Sequence, residues 1–293
     1  MVHLSTALSF VAGLSTICGV FSAPVANSNT TADLVTPGTG AGPQFVVYTN
    51  SINNFTGPPP VAQVKGFNVV ALSFLLIKGD YDKATEWTQL SAEQRSSIKS
   101  QYAAAGIKLI VSAFGSTDKP TTNGADPVGT ANTMAAWVKQ YDLDGIDVDY
   151  EDFGAVSAGD GKAEIWLASF TRQLPVAPWF SPGKFGGGAY LKVHETVGHL
   201  IDWYNVQFYN QGEGEYTTCA GLLTASSTKW PQASLFQIAD SGIPLSKLVI
   251  GKPANINGAN NGYMSASELA QCVQQAKNKG WSEYILSDVF DRG

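Results

Sequence analysis

From residue 44 onward the chain alternates short apolar runs with longer amphipathic ones. QFVVYTN (44–50) reads as a strand. FNVVALSFLLI (67–77) reads as a second, apolar almost throughout, as a strand covered on both faces should be. SAEQRSSIKSQYAAAG (91–106) predicts a helix that Ser91 caps and Gly106 ends. IKLIVSAFG (107–115) predicts a strand, and DPVGTANTMAAWVKQYD (126–142) a helix with Pro127 in its first turn. LDGIDVDYE (143–151) is the fourth predicted strand, followed by a helix over 159–174. Further strands are predicted over 201–210 and 246–254, a helix over 265–280 and a last strand over 281–290.

Strand–helix alternation of this kind implies an α/β fold with a parallel sheet and helices on its faces. Seven or eight such units favour a closed (β/α)8 barrel, a TIM barrel, over an open doubly wound sheet. No Gly-x-Gly-x-x-Gly opens a helix after a strand, so no dinucleotide cofactor is expected. No Gly-x-Ser-x-Gly elbow is present, which removes the α/β-hydrolase triad. His194 and His199 lie five apart, not at the His-Glu-x-x-His zinc spacing.

The fourth predicted strand reads Asp144-Gly145-Ile146-Asp147-Val148-Asp149-Tyr150-Glu151. Side chains alternate along a strand. Asp147, Asp149 and Glu151 therefore share one face, and Ile146, Val148 and Tyr150 the other. In a barrel the apolar set packs on the helices and the acids point inward. Carboxyls spaced ~7 Å along one buried strand repel each other and lose solvation, which disfavours their charged forms. Such an arrangement points to acid–base chemistry. Glu151 sits at the C-terminal end of its strand, the face where barrel enzymes keep their sites. A divalent-cation site would recruit further carboxylates or histidines from other strand ends; none is apparent, and no metal is expected.

Composition narrows the partners. Hydrophobic residues make up 44% and charged residues 14%, too apolar for disorder. The net charge is −6, which argues against nucleic acid and anionic membrane partners. Residues 1–23 read as a secretory signal peptide, although no Lys or Arg precedes the apolar run. Residues 24–43, rich in Pro, Gly, Ser and Thr, read as a flexible leader. The remainder, 44–293, reads as the barrel domain, a secreted monomer. Asn29-Thr30-Thr31 and Asn54-Phe55-Thr56 are glycosylation sequons. Cys219 and Cys272 remain after the signal; in an oxidising compartment they form either one disulfide or two separate buried thiols.

The acidic strand resembles the Asp-x-x-Asp-x-Asp-x-Glu signature of family 18 glycoside hydrolases, which include chitinases and endo-β-N-acetylglucosaminidases. Ser112-Ala113-Phe114-Gly115 is similar to the family's small Ser/Gly motif. Gln207-Phe208-Tyr209-Asn210 is similar to its later strand, where Tyr precedes Asp or Asn. The resemblance covers roughly residues 44–280. It implies a glycosidase acting on N-acetylglucosamine-containing glycans with help from the substrate's own acetamide, and no cofactor. It implies Glu151 as general acid and base, and Asp149 as partner of the acetamide. Asp147 would share a proton with Asp149, and Tyr209 would donate to the acetamide oxygen. Gln207, Asn210, Trp179 and Tyr48 are candidate substrate contacts. Asp144, of opposite parity, reads as structural. Trp179, Phe180 and Tyr190 read as loop aromatics that either stack on sugars or pack locally, and Trp203 as core.

Two places depart from the pattern. Only Pro175-Val176-Ala177-Pro178 stands where a fifth strand belongs, and two prolines there give up ladder donors. The segment WSEYILSDVFDRG lacks the family's Gly-rich strand ending in Trp. The expectation is a barrel with a weakened fifth strand and an incomplete closure at the eighth. Two other readings stay open: an endo-β-N-acetylglucosaminidase acting on the N-glycan core, and an inactive carbohydrate-binding barrel.

Overall fold

The computed structural model describes residues 44–50, 56–174 and 188–281, and the backbone of 285–288. The predicted signal and leader, both sequon asparagines, the Pro175–Pro178 segment, Trp179 and Phe180 lie outside the described residues.

The seven predicted strands form, and a short β3 that the sequence pattern does not announce joins them. They are β1 (Val46–Thr49), β2 (Val69–Leu76), β3 (Gly79–Asp80), β4 (Lys108–Phe114), β5 (Ile146–Asp149), β6 (Tyr204–Gln207), β7 (Leu248–Pro253) and β8 (Ile285–Asp288). The two-residue β3 folds back antiparallel on the end of β2. The others pair in parallel in the order β5-β4-β2-β1-β8-β7-β6. That is the cyclic order of a (β/α)8 barrel; residues 175–187, between β5 and β6 in the chain, lie outside the described residues. The eighth strand takes its place between β7 and β1: four residues register with β7, and two, Leu286 and Ser287, with β1.

The alternation of side chains sorts the core into two parts. Val46, Val69, Ala71, Ile110 and Val249 pack together inside the barrel, with Tyr48 and Trp203 against them. Their strand neighbours Val47, Val70, Leu109, Val148, Val206 and Ile250 point outward into the helical layer. Each such side chain, fully buried, contributes roughly 1.5–3 kcal/mol.

The helices are α1 (Lys83–Gln89), α2 (Ala92–Ala104), α3 (Pro127–Gln140), α4 (Phe153–Ala158), α5 (Lys162–Gln173), α6 (Ala189–Val197), α7 (Cys219–Leu223), α8 (Leu235–Asp240) and α9 (Ala266–Asn278). Local chemistry sets their starts. Ser91 and Gln94 form a reciprocal capping box on α2, and Ser265 and Glu268 one on α9. Asp126 caps α3 with Pro127 following. Helix α6, like the short α1, α4, α7 and α8, is an element the sequence pattern did not announce. It starts after Gly188, whose φ of 86° few other residues adopt. It buries Tyr190, Val193 and Val197. Nine residues behind a run of glycines are too few for the period to stand out.

Cys219 on α7 and Cys272 on α9 form a disulfide, with Cα atoms 4.9 Å apart. Among the described residues, no helix is long and apolar enough to cross a membrane.

Candidate active site

The acid row occupies the inner face of β5. Its register with β4 sets Ser112 beside Asp147 and Phe114 beside Asp149. Asp147 is only 3% exposed. Its Oδ2 accepts from Ser112 Oγ at 2.7 Å and its Oδ1 from Asn205 Nδ2 at 3.0 Å. Tyr48 also hydrogen-bonds this carboxyl. Burial pushes its pKa up to about 6, and the Ser112, Tyr48 and Asn205 hydrogen bonds work against that rise.

Asp149 lies one step nearer the open end and is half-buried. Its Oδ1 accepts from Gln207 Nε2 at 2.9 Å. Glu151 follows just past the strand, also half-buried. Burial raises its pKa, opposed by a hydrogen bond with Asp149 and by the charge of Lys119. Lys119 reaches this corner by donating Nζ to the Glu151 carbonyl at 2.9 Å. The two acids thus form a hydrogen-bonded pair, and the outer member retains its proton more readily than a free glutamate. That is the behaviour a general acid needs near neutral pH.

The surroundings hold the row in place. Asp144, as its parity suggested, is structural: Oδ2 accepts from Leu109 N at 2.7 Å, and Oδ1 pairs with Lys99. Asp152, which the sequence reading passed over, is fully buried and takes Thr122 N and Oγ1 at 2.7 and 2.6 Å. It ties the loop after β4 to the residue following Glu151. At the end of β4, Phe114 and Gly115 both adopt positive φ, 76° and 78°. A Cβ on Gly115 would meet the Phe74 ring at 3.2 Å. An aromatic at positive φ is a strained conformation of the kind found at functional sites.

From β6, at the other end of the strand order, Asn205 and Gln207 point inward, and Tyr209 follows at the same parity, 5% exposed. The loop after β7 presses on it: a Cβ on Gly262, at φ 91°, would lie 2.6 Å from Tyr209 Cα. Asn210 is exposed and takes φ 56°. It bridges the loops after β6 and β7, its Oδ1 accepting from Asn260 N at 2.8 Å and its N–H donating to Asn261 O at 3.1 Å. Tyr48, predicted as a substrate contact, has its hydroxyl at Asp147 and Asn205.

Tyr190 is corrected. It is not a loop aromatic but a buried residue of α6, 3% exposed, whose hydroxyl donates to Tyr150 O at 2.6 Å. Two contributors were missed. Asn205 shares the parity of Gln207 and Tyr209, so the alternation could have found it. Lys252, on β7, is 1% exposed. Its Nζ donates to the carbonyls of Phe208, Tyr216 and Gly262 at 2.9, 2.7 and 2.6 Å, clamping the backbone just before Tyr209. Nothing in the sequence marks it. Among the described residues, no group of three or more His, Cys, Asp or Glu is placed to hold a metal ion.

No family model matches the chain. Among curated proteins it is similar to a chitinase of Enterococcus faecalis, 26% identical, the match covering 74% of this chain and 68% of that protein. It is also similar to endochitinase 4 of Metarhizium anisopliae, 28% identical over 70% of this chain and 84% of that one. Among solved structures, a GH18 chitinase from Pseudoalteromonas aurantia superposes with a TM-score of 0.65 at 22% identity, over 84% of this chain and 94% of that one. The acid signature on the inner face of β5, the barrel order and these similarities all agree with a resemblance to family 18 glycoside hydrolases.

Proposed function

We propose that the protein hydrolyses β-1,4 bonds of chitin or chito-oligosaccharides by a retaining mechanism in which the substrate supplies the nucleophile. The observation that carries this reading is the Asp149–Glu151 pair, hydrogen-bonded and half-buried at the C-terminal end of a barrel strand. Most retaining glycosidases place a second carboxylate ~5 Å away as nucleophile; this family is an exception. In its place the oxygen of the 2-acetamido group attacks the anomeric carbon and forms an oxazolinium ion. Glu151 protonates the departing glycosidic oxygen. The same carboxylate then takes a proton from the water that opens the oxazolinium, and the anomeric configuration is retained.

Asp149 accepts the acetamide N–H and stabilises the positive charge that grows there. Asp147 stands behind it as the inner member of the proton-sharing row. Tyr209 donates to the acetamide oxygen and keeps it in line. Gln207, Asn210, Tyr48 and Trp179 complete the substrate-facing set in this reading, Tyr48 through its hold on Asp147. The glycan is the only partner required, and the protein acts as a monomer. Export fits the same picture, supported by the Cys219–Cys272 disulfide, which persists in oxidising compartments.

Incubation with chitotetraose and with a high-mannose glycoprotein, beside a Glu151→Gln control, tests the reading. Cleavage of the tetramer that the control loses is expected. Cleavage of the glycoprotein alone would move the substrate to the N-glycan core. Binding of either without cleavage would make the chain a carbohydrate-binding barrel.

A further inference from the structure

Asn205 joins the acid row on β5 to β6, at the other end of the strand order. Its Nδ2 donates to Asp147 Oδ1 at 3.0 Å and to the Tyr48 hydroxyl at 2.9 Å. Its Oδ1 accepts the indole N–H of Trp203 at 2.9 Å. An indole nitrogen can only donate, and an ionised carboxylate can only accept. Turning the amide over would set its NH2 against the indole N–H and its oxygen against the carboxylate. Trp203 therefore decides which end of Asn205 meets Asp147. Asn205 is 5% exposed and Trp203 packs on the barrel interior, so a lost contact is not readily replaced by solvent.

Asp147 meets donors at both oxygens, Asn205 on Oδ1 and Ser112 on Oδ2, with Tyr48 as a third. The titratable groups facing it are Tyr48 from β1, Asp149 and Glu151 along its own strand, and Tyr190 from α6, which feels the charge of all three acids. β4 and β6 meet it through the neutral Ser112 and Asn205. Donors stabilise the ionised form of a carboxyl. The hydrogen bond between Asp149 and Glu151, in contrast, requires a proton between the two.

We infer that Asn205, its amide oriented by Trp203, is a positioning residue that holds the negative charge on Asp147 and thereby keeps the row's proton between Asp149 and Glu151, where the glycosidic oxygen is reached. The inference rests on the function proposed above and deepens it. It assigns the inner and outer members of the row different charges, and it makes a neutral side chain from another strand, β6, responsible for that division.

Two variants separate it from a packing role. Asn205→Leu removes both donors at similar volume. Trp203→Phe keeps an aromatic ring in the core and removes only the indole N–H. Aspartate carboxyl carbons are titrated by NMR, with Asp147 assigned by its loss in Asp147→Asn. The pH profile of kcat/KM on a chito-oligosaccharide is recorded beside it. The Asp147 midpoint is expected to rise by about one pH unit, a tenfold change in proton affinity, in Asn205→Leu. It rises by less in Trp203→Phe. The acid limb of kcat/KM moves the same way, and kcat falls more than KM changes. Midpoints equal to the wild type's in the folded variants would overturn the inference, as would a raised midpoint with an unmoved acid limb. If Asn205→Leu does not fold, Trp203→Phe decides. If the wild type cleaves no glycan, the proposed function fails, and the carbon titration alone still decides whether Asn205 holds the charge.

Discussion

Gln207 on β6 donates its side-chain amide to Oδ1 of Asp149 on β5 at 2.9 Å, joining the two ends of the strand order, 58 positions apart along the chain. The contact anchors Oδ1 of the Asp149 carboxyl. The same carboxyl also hydrogen-bonds Glu151.

Replacing Gln207 by Leu removes a hydrogen bond to a carboxyl, about 1.5–3 kcal/mol. If Asp149 acts on the acetamide, kcat falls on the order of ten- to hundredfold with little change in folding. Steady-state kinetics on a chromogenic chito-oligosaccharide checks this. A rise in KM at constant kcat would instead make Gln207 a simple sugar contact.

Glu151→Gln should lower kcat on the order of 10²–10⁴-fold, the usual yield of a general acid–base group. The same change should stabilise the fold near pH 8. Burial raises the Glu151 pKa above its unfolded value, so the folded state holds that proton more tightly. The resulting stability is complete below the unfolded pKa, near 4.5, and is lost as pH rises through the folded value. Above that window the charged side chain weakens the fold, and glutamine does not. Melting curves at pH 4 and pH 8 are the measurement: the variant gains at pH 8 and not at pH 4.

Lys252→Met should destabilise the protein by about 3 kcal/mol, because three buried carbonyls lose their donor together. Burial holds the Lys252 pKa down to about 7 from 10.5. The unfolded chain therefore binds more protons between those values, and the lysine's contribution rises with pH across that interval. Denaturant unfolding of both proteins at pH 7 and pH 9 should show a larger gap at pH 9. An equal gap would mean that the ammonium stays fully charged on its three carbonyls.

Removing the Cys219–Cys272 bridge by a double alanine substitution opens a loop spanning 53 positions. Loop-closure entropy assigns this about 4 kcal/mol, less any residual order in the unfolded chain. Equilibrium unfolding should show the loss, while kcat changes little, since α7 and α9 lie in the outer layer.

Much of the fold was legible. The strand at 143–151 announced itself because a period of two placed Asp147, Asp149 and Glu151 together and Asp144 apart, and both placements hold. Ser91, Asp126 and Ser265 start their helices through hydrogen bonds made within a few residues. Helix α6 was not legible: a short helix after three glycines carries too little periodic signal, and Tyr190 was therefore read as a loop residue. Lys252 was hidden for another reason. A lysine near the end of a short strand usually reaches solvent, and only the loops folding over it supply the carbonyls that keep it inside.

By itself, the sequence determined the alternation of strands and helices, the face on which the acids lie and the signature they resemble. These follow from backbone geometry, which repeats every two residues in a strand and every 3.6 in a helix. The partners of the acids were decided only by the tertiary structure. Tyr48, Ser112, Asn205 and Gln207 come from three other strands, and no local rule relates them to Asp147 and Asp149. Closing the sheet into a barrel brings Ser112, Asn205 and Gln207 within 3 Å of them, and burial there, unlike anything along the chain, sets how tightly each carboxyl keeps its proton.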